Sequence, residues 1–406
     1  MRRALCGIAI LLILGCIISV SISASSLDAR AGHALRFAAD QMKKALAKVS
    51  DPALLVRTTA PDGSWKTIKA GDWTSGFFPG LLWCLSEYTG DRVLRKAAEE
   101  RTASLEEQKN NTNDHDVGFR MMCSYGNGYR ITKNPAYRDV ILTAARSLAT
   151  RFNPAVGCVR SWNHGSWTFP VIIDNMMNLE LLFWASKNGG DPGLYDIAVK
   201  HALTTMQNHV RPDGGTFHVV DYDKQTGAIV KKQTHQGYRD DSTWARGQAW
   251  AVYGFTMTYR ETGDKRFLET ARKLADYFIS HLPPDRVPYW DFQVPASHGE
   301  PRDSSAAAIA ASGLLELSAL GSNKQEAQKY RTAALGMLES LCSPAYLAEG
   351  TSLASVLQHA TGGKPMNSEI DAGLIYGDYY FVEALMRYLK SGRIQKPTSR
   401  PATPSR

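Results

Sequence analysis

The chain has 406 residues, 44% hydrophobic and 21% charged, a balance ordinary for a globular enzyme and long enough for one large core or two smaller ones. Its formal charge of +8 comes partly from the ends, Arg2 and Arg3 at the start and Arg393, Lys396, Arg400 and Arg406 in the tail. The body is therefore only mildly basic; it carries no Lys/Arg-rich block, so nucleic acid is not expected among its partners, and a slight preference for anionic ligands remains.

In chain order, the first element is a targeting segment. Arg2 and Arg3 precede an almost wholly apolar run, Ala4 to Ile22, and small residues follow to Ser26. Residues 1–25 read as a secretory signal peptide and stand outside the fold. Ile13-Leu14-Gly15-Cys16 has the form of a lipoprotein cleavage box that would leave Cys16 lipidated. The run is also nearly long enough to remain as an anchor. Each reading exports the chain to the periplasm or beyond, with membrane attachment through this segment only. Four cysteines follow, Cys84, Cys123, Cys158 and Cys342. None forms a C-x-x-C pair, so no metal site is expected and buried free thiols are the default.

Helical periodicity then predicts twelve helices, over 31–48, 76–89, 92–107, 116–131, 135–152, 172–187, 192–209, 245–261, 264–281, 304–319, 324–342 and 373–390, with few convincing strands. Short links such as Thr89-Gly90-Asp91, Asn188-Gly189-Gly190 and Thr262-Gly263-Asp264 alternate with long ones over 153–171, 210–244, 282–303 and 343–372. Glycine ends several helices, as a C-cap should. The pattern predicts an all-α fold, an (α/α)6 toroid of six helical hairpins, as a single domain over 26–390. An open solenoid of helix pairs is the competing architecture. Long Trp/His-rich loops favour the closed ring with a pocket. The Pro-, Ser- and Arg-rich segment 391–406 is expected to be disordered.

Chemistry concentrates where long loops enter helices. Trp73-Thr74-Ser75-Gly76-Phe77-Phe78 reads as an aromatic wall, and Ser161-Trp162-Asn163-His164 as a polar-aromatic loop. In Asn113-Asp114-His115-Asp116, Asp114 is the natural helix cap, and Asp116 sits where a helix dipole favours a carboxylate. Asp174 follows Val171-Ile172-Ile173 and precedes two methionines. Burial there would raise its pKa and let it hold a proton near neutral pH, as a general acid requires. The densest stretch runs from His235 to Trp250, with Asp241 or Ser242 as candidate cap. Arg246 and Trp250, four apart on a helix, offer a guanidinium fork for an acid and an indole for the apolar face of a sugar. Nine Trp and seventeen Tyr also suit carbohydrate.

The stretches W-T-S-G-F-F-P-G, H-D-V-G-F, D-N-M-M-N-L-E-L-L-F-W-A, T-H-Q-G, D-S-T-W-A-R-G-Q-A-W and Y-G-D-Y-Y-F, in this order between about residues 30 and 390, resemble the unsaturated glucuronyl hydrolases, glycoside hydrolase family 88. The resemblance implies the (α/α)6 toroid and a reaction needing no metal or cofactor. The implied substrate is an oligosaccharide whose non-reducing end carries the C4=C5 unsaturated uronate left by polysaccharide lyases. Asp174 is implied as the acid that protonates C4 and then assists water, and Asp116 as its partner carboxylate. Trp73, His115, Trp162, His218, Thr234, Gln236, Arg246 and Trp250 are implied to line the sugar site, with Arg246 on the uronate carboxylate and Tyr376 closing the pocket. Lys364 falls in a loop implied to touch the next sugar, and Lys232 stands where a small residue is expected. The alternatives are an unsaturated rhamnogalacturonyl hydrolase acting on pectin fragments, a non-catalytic carbohydrate-binding toroid and a helical scaffold for protein partners.

Overall fold

A Thr-Gly-Asp turn combines two end signals, and the chain reverses wherever it occurs. Helix α2 (Phe77–Thr89) ends on Gly90 in the left-handed region, at φ 72°, and Asp91 then caps α3 (Arg92–Ala103) by accepting from the Val93 and Leu94 amides. The same device joins α9 (Ala245–Thr262) to α10 (Lys265–Ser280), with Gly263 at φ 70° and Asp264 accepting from Arg266. Asn134 caps α6 (Pro135–Ala149), and Asn323 caps α12 (Lys324–Leu341).

The computed structural model describes residues 27–295, 299–321 and 323–394. The expected leader, with Cys16, and the part of the expected tail beyond Ile394 lie outside the described residues. Helix α1 spans 27–48. Helix α4 (Val117–Met121) continues through a π turn (Met122–Gly126) into α5 (Asn127–Thr132). The remaining helices are α7 (Asn175–Lys187), α8 (Gly193–Asn208), α11 (Ser304–Leu320) and α13 (Ile375–Ile394).

Two kinds of helix alternate. Helix α9 is buried from Ala245 to Thr258 and α11 from Ser304 to Leu315, so both are covered all round and sit inside. Helix α10 buries only the stripe Phe267, Leu268, Ala271, Leu274, Ala275 and Phe278, so it packs outside. The inner helices α2, α4–α5, α7, α9, α11 and α13 touch in sequence, and α13 packs back on α2. The ring is therefore closed, not an open solenoid. Tyr388 of α13 donates to Asp28 of α1 at 2.6 Å, pairing the first described helix with the last.

Short turns lie at one end of the barrel, and every long loop precedes an inner helix at the other. These loops carry strands that helical periodicity does not reveal: β1 (Leu55–Thr59) with β2 (Trp65–Ile68), β3 (Phe152–Asn153) with β4 (Cys158–Val159), and a sheet of β5 (Pro170–Ile172), β6 (Val219–Tyr222) and β7 (Ile229–Gln233), all antiparallel. The helix expected from 172 begins instead at Asn175, because β-branched Val171 and Ile172 pair with Val220 and Val219. At the other end α13 runs to Ile394, so 391–394, expected in the tail, are helical. All four described cysteines are buried and free, and no described helix is long and apolar enough to cross a membrane.

Candidate active site

The inner helices α4, α7 and α9 start at one cleft of about 620 Å³, lined among others by Trp73, His115, Asp116, Trp162, Asp174, Gln236, Trp244 and Arg246. Helices α4 and α7 are held close at Gly118, where a Cβ would meet the Cα of Asn178 at 2.6 Å. The Phe119 amide donates to Asn178 Oδ1 at 2.7 Å. This crossing brings the starts of both helices, Asp116 and Asp174, into one cleft.

The three acidic and basic groups before α4 divide the work. Asp114 is structural: its carboxylate accepts from Arg120 Nη1 at 2.9 Å and Nη2 at 3.1 Å, and from the Asp116 amide at 2.9 Å. Burial would raise its pKa, but the Arg120 guanidinium holds it below the usual carboxylate range. Asp116 stands at the N-cap yet its side chain caps nothing. Burial raises its pKa, opposed by His115. His115 Nδ1 lies 2.9 Å from the Ser161 carbonyl, and a carbonyl only accepts, so Nδ1 carries a proton. Its Nε2 faces Asp116 Oδ1 at 3.3 Å, so one further proton serves both groups.

Asp174 is 9% exposed, at the N-cap of α7, and makes no capping bond. Its Oδ2 is buried without a hydrogen-bond partner. Burial lifts its pKa to about 7, with Arg246 opposing and Asp116 adding to the rise. Beside it His218 has the opposite wiring to His115. Its Nδ1 accepts from the His235 and Gln236 amides, each at 3.2 Å, so the ring proton sits on Nε2, 3.8 Å from Asp174 Oδ2. Burial pushes the His218 pKa far down and keeps the ring neutral.

Arg246 is 1% exposed and pairs with Asp303 at 2.8 Å. Its Nη1 also donates to the Thr361 carbonyl, and its Nη2 to the Gly362 carbonyl at 2.5 Å. The guanidinium lies 4.5 Å from the Trp244 ring and 5.2 Å from the Tyr376 ring. A second wall is aromatic: Trp162 stacks on His164 at 5.1 Å and meets Trp167 and His235 at 5.2 and 5.5 Å.

The sequence model of Glycosyl Hydrolase Family 88 matches residues 39–388. The chain belongs to glycosyl hydrolase family 88. It is a glycoside hydrolase with the all-α ring of that family. An unsaturated glucuronyl hydrolase of Formosa agariphila is 48% identical over 326 residues, 79% of this chain and 80% of the relative. An unsaturated chondroitin disaccharide hydrolase of Streptococcus agalactiae is 34% identical over 332 residues, covering 80% and 83%. The crystal structure of an unsaturated glucuronyl hydrolase specific for heparin superposes with a TM-score of 0.87 at 43% identity, covering 90% of this chain and 98% of that one.

Within this family 88 cleft, Trp73, His115, Asp116, Trp162, Asp174, Gln236 and Arg246 line the space together. The other four expected residues lie behind the wall. His218 backs Asp174. Thr234 shapes the turn, its Oγ1 accepting from the Gly237 amide at 2.8 Å. Trp250 and Tyr376 are fully buried and form the floor, Trp250 against Phe119 at 5.1 Å and Tyr376 against Trp73 at 5.0 Å. The Trp250 indole, expected over the sugar, thus lies behind the lining, and Trp244 lines the cleft instead. The Arg246 fork expected on the uronate is held by Asp303 and two carbonyls. Neither Asp241 nor Ser242 caps α9: Asp241 pairs with Arg239, and Ser242 donates to Asp291 at 2.7 Å. Lys232 lies on β7 with its ammonium 4.8 Å from the Phe217 ring, and Lys364 lies 3.6 Å from Glu300. The sequence reading missed Asp303, which looks like a plain cap before Ser304-Ser305 and is one, and Met366, whose chemistry carries no signal. No group of three or more His, Cys, Asp or Glu able to hold a metal occurs among the described residues.

Proposed function

We propose that this family 88 enzyme removes the unsaturated uronate from the non-reducing end of oligosaccharides by hydrating its C4=C5 double bond, with Asp174 and Asp116 as the working pair. The observation that carries the reading is Asp174: a buried carboxyl in the cleft, without a hydrogen-bond partner on Oδ2, whose pKa of about 7 leaves much of it protonated near neutrality. Protonated Asp174 delivers its proton to C4. Positive charge develops at C5, and the Asp116 carboxylate stabilises it. Water adds at C5 and returns a proton to Asp174. The resulting hemiketal opens and the rest of the chain leaves. Rules that relate carboxylate separation to retention or inversion do not apply, since the anomeric carbon is not attacked.

Arg246 has its charge offset by Asp303 and its fork occupied, so it shapes the cleft wall and is not an open seat for the uronate. The aromatic wall of Trp162, His164 and His235 receives the sugar faces. A variant of the Streptococcus agalactiae enzyme, 30% identical to this chain with a TM-score of 0.78, was crystallised with dGlcA-GalNAc6S, which supports a glucuronyl substrate here.

The test follows loss of ultraviolet absorbance as the double bond is consumed, over unsaturated disaccharides from chondroitin, hyaluronan, heparin, alginate, gellan and pectin. Turnover of a glucuronyl substrate that drops at least ~10²-fold in Asp174→Asn, with binding retained, is the expected result. Near-normal turnover in that variant removes Asp174 from its role, and turnover of rhamnogalacturonan fragments alone assigns a different leaving sugar. The apolar leader over 1–25 supports export as part of this proposal. Fractionation of cells expressing the full chain and its Cys16→Ser variant separates secreted, lipid-anchored and cytoplasmic outcomes.

A further inference from the structure

Across Asn163 from the cleft lies a second cavity of about 480 Å³, lined by Thr112, Arg151, Asn153, Arg160 and Phe169 among others, with no acidic residue in its lining. Arg151 is 8% exposed and has only neutral partners: Nε donates to the Arg160 carbonyl at 2.9 Å, Nη1 to the Thr112 carbonyl at 2.5 Å and Nη2 to Asn163 Oδ1 at 3.1 Å. The Arg160 side chain makes no hydrogen bond or ion pair among the described residues, and its Nε is buried. Its guanidinium lies 5.9 Å from the Phe169 ring. Arg120 and Arg246, which line the cleft, each face a carboxylate instead. Burial drags the Arg151 pKa down to about 10, with Arg160 adding to the fall and the more distant Asp114 and Asp116 only partly opposing it.

Two guanidinium groups in a polar hollow fit an anion with oxygens to share between them. The hollow also adjoins the cleft: Asn163 lines both, and Thr112 on one side is followed by Asn113 on the other. The two spaces therefore share one rim at Asn163. We infer that the Arg151–Arg160 cavity is an anion subsite for a sulfate ester or carboxylate on the part of the oligosaccharide that leaves. The inference rests on the substrate class proposed above.

Arg160→Gln tests it, because the variant removes the uncompensated charge and keeps the carbonyl that Arg151 uses. The probes are an unsulfated unsaturated disaccharide and a sulfated unsaturated tetrasaccharide. The expected result is a rise in KM of about tenfold for the sulfated tetrasaccharide, with kcat unchanged and the disaccharide unaffected. The wild-type advantage should fade with added salt. Equal effects on both substrates, or none on either, overturn the subsite. Inorganic sulfate supplies a further arm: binding of sulfate alone, with no advantage for the sulfated tetrasaccharide, marks a free-anion site and also overturns the inference. Calorimetric binding of the tetrasaccharide to Asp174→Asn, with and without Arg160→Gln, gives a readout independent of turnover. If neither probe is turned over by the wild type, the proposed reaction fails, while a tenfold weaker Kd in the double variant still upholds the cavity.

Discussion

His115 and His218 flank the two carboxylates proposed to do the chemistry with opposite wiring, one with its proton on Nδ1 and its Nε2 sharing a second proton with Asp116, the other presenting a fixed N–H to Asp174. This has a consequence for the pH profile. His115 opposes the rise in the Asp116 pKa. In His115→Gln the Asp116 pKa therefore climbs, and the acidic limb of kcat/KM moves to higher pH; an unmoved limb removes Asp116 as the group that must be ionised. On the basic side, activity of the wild type should fall as pH rises through about 7, where Asp174 loses its proton. Stability follows the same sign. The folded pKa of Asp174 lies above its unfolded value of 3.8, so its burial is harmless below that value and costs stability as pH rises through about 7. Asp174→Asn should thus be more stable than the wild type at pH 8, by up to roughly 2–4 kcal/mol in denaturant titration, and show no such gain at pH 4.

At the scale of elements, the site depends on how closely helices cross. A Cβ at Gly118 would meet Asn178 Oδ1 at 2.5 Å and its Cα at 2.6 Å, both too close, so α4 and α7 must part in Gly118→Ala. The expected loss is about 1–3 kcal/mol of stability in denaturant titration, with kcat reduced more than KM, because the paired carboxylates move apart. Asp303 links the start of α11 to α9 through Arg246. Asp303→Asn leaves that buried guanidinium without its counter-charge and should cost about 3–5 kcal/mol. Both residues show where sequence is legible and where it is not. The Thr-Gly-Asp links state both ends of a hairpin within three residues, so the ring could be counted from the chain alone. Asp174 announced itself through its apolar neighbours. Asp303 did not, because a cap and a salt-bridge partner look alike until the residue 57 positions away is brought to it. Arg246 and Trp250 stand four apart on α9, but sequence does not say that Trp250 is buried behind the lining while Arg246 reaches the cleft, or that the protein itself fills the fork. The strands β5 and β6 escaped detection because they are buried on both faces and lack alternation.

For the whole molecule, the end of the ring away from the cleft is laced by charge. Arg260 of α9 reaches Glu180 of α7 at 2.5 Å and Glu316 of α11 at 2.6 Å, and Arg387 of α13 reaches Glu316 at 2.5 Å. Arg260 lies about four helical turns from Arg246, roughly 20 Å. Glu316→Gln should therefore lower the melting temperature and leave KM unchanged. With the arginines 25–30% exposed, about 2–3 kcal/mol is expected, less than a fully buried pair would cost. Between this lacing and the cleft, Phe77, Phe119, Trp250, Tyr376 and Tyr380 seal the axis of the ring. The cleft is thus a cul-de-sac, and a polymer cannot thread it. Only a terminus enters, and what remains must back out by the same door before the next visit. Such a protein counts termini, not mass: the same weight of polysaccharide, cut by a lyase into pieces a tenth as long, should lose its double bonds at about ten times the rate while ends are scarce. Its working speed in any mixture is set by whichever enzyme opens new unsaturated ends.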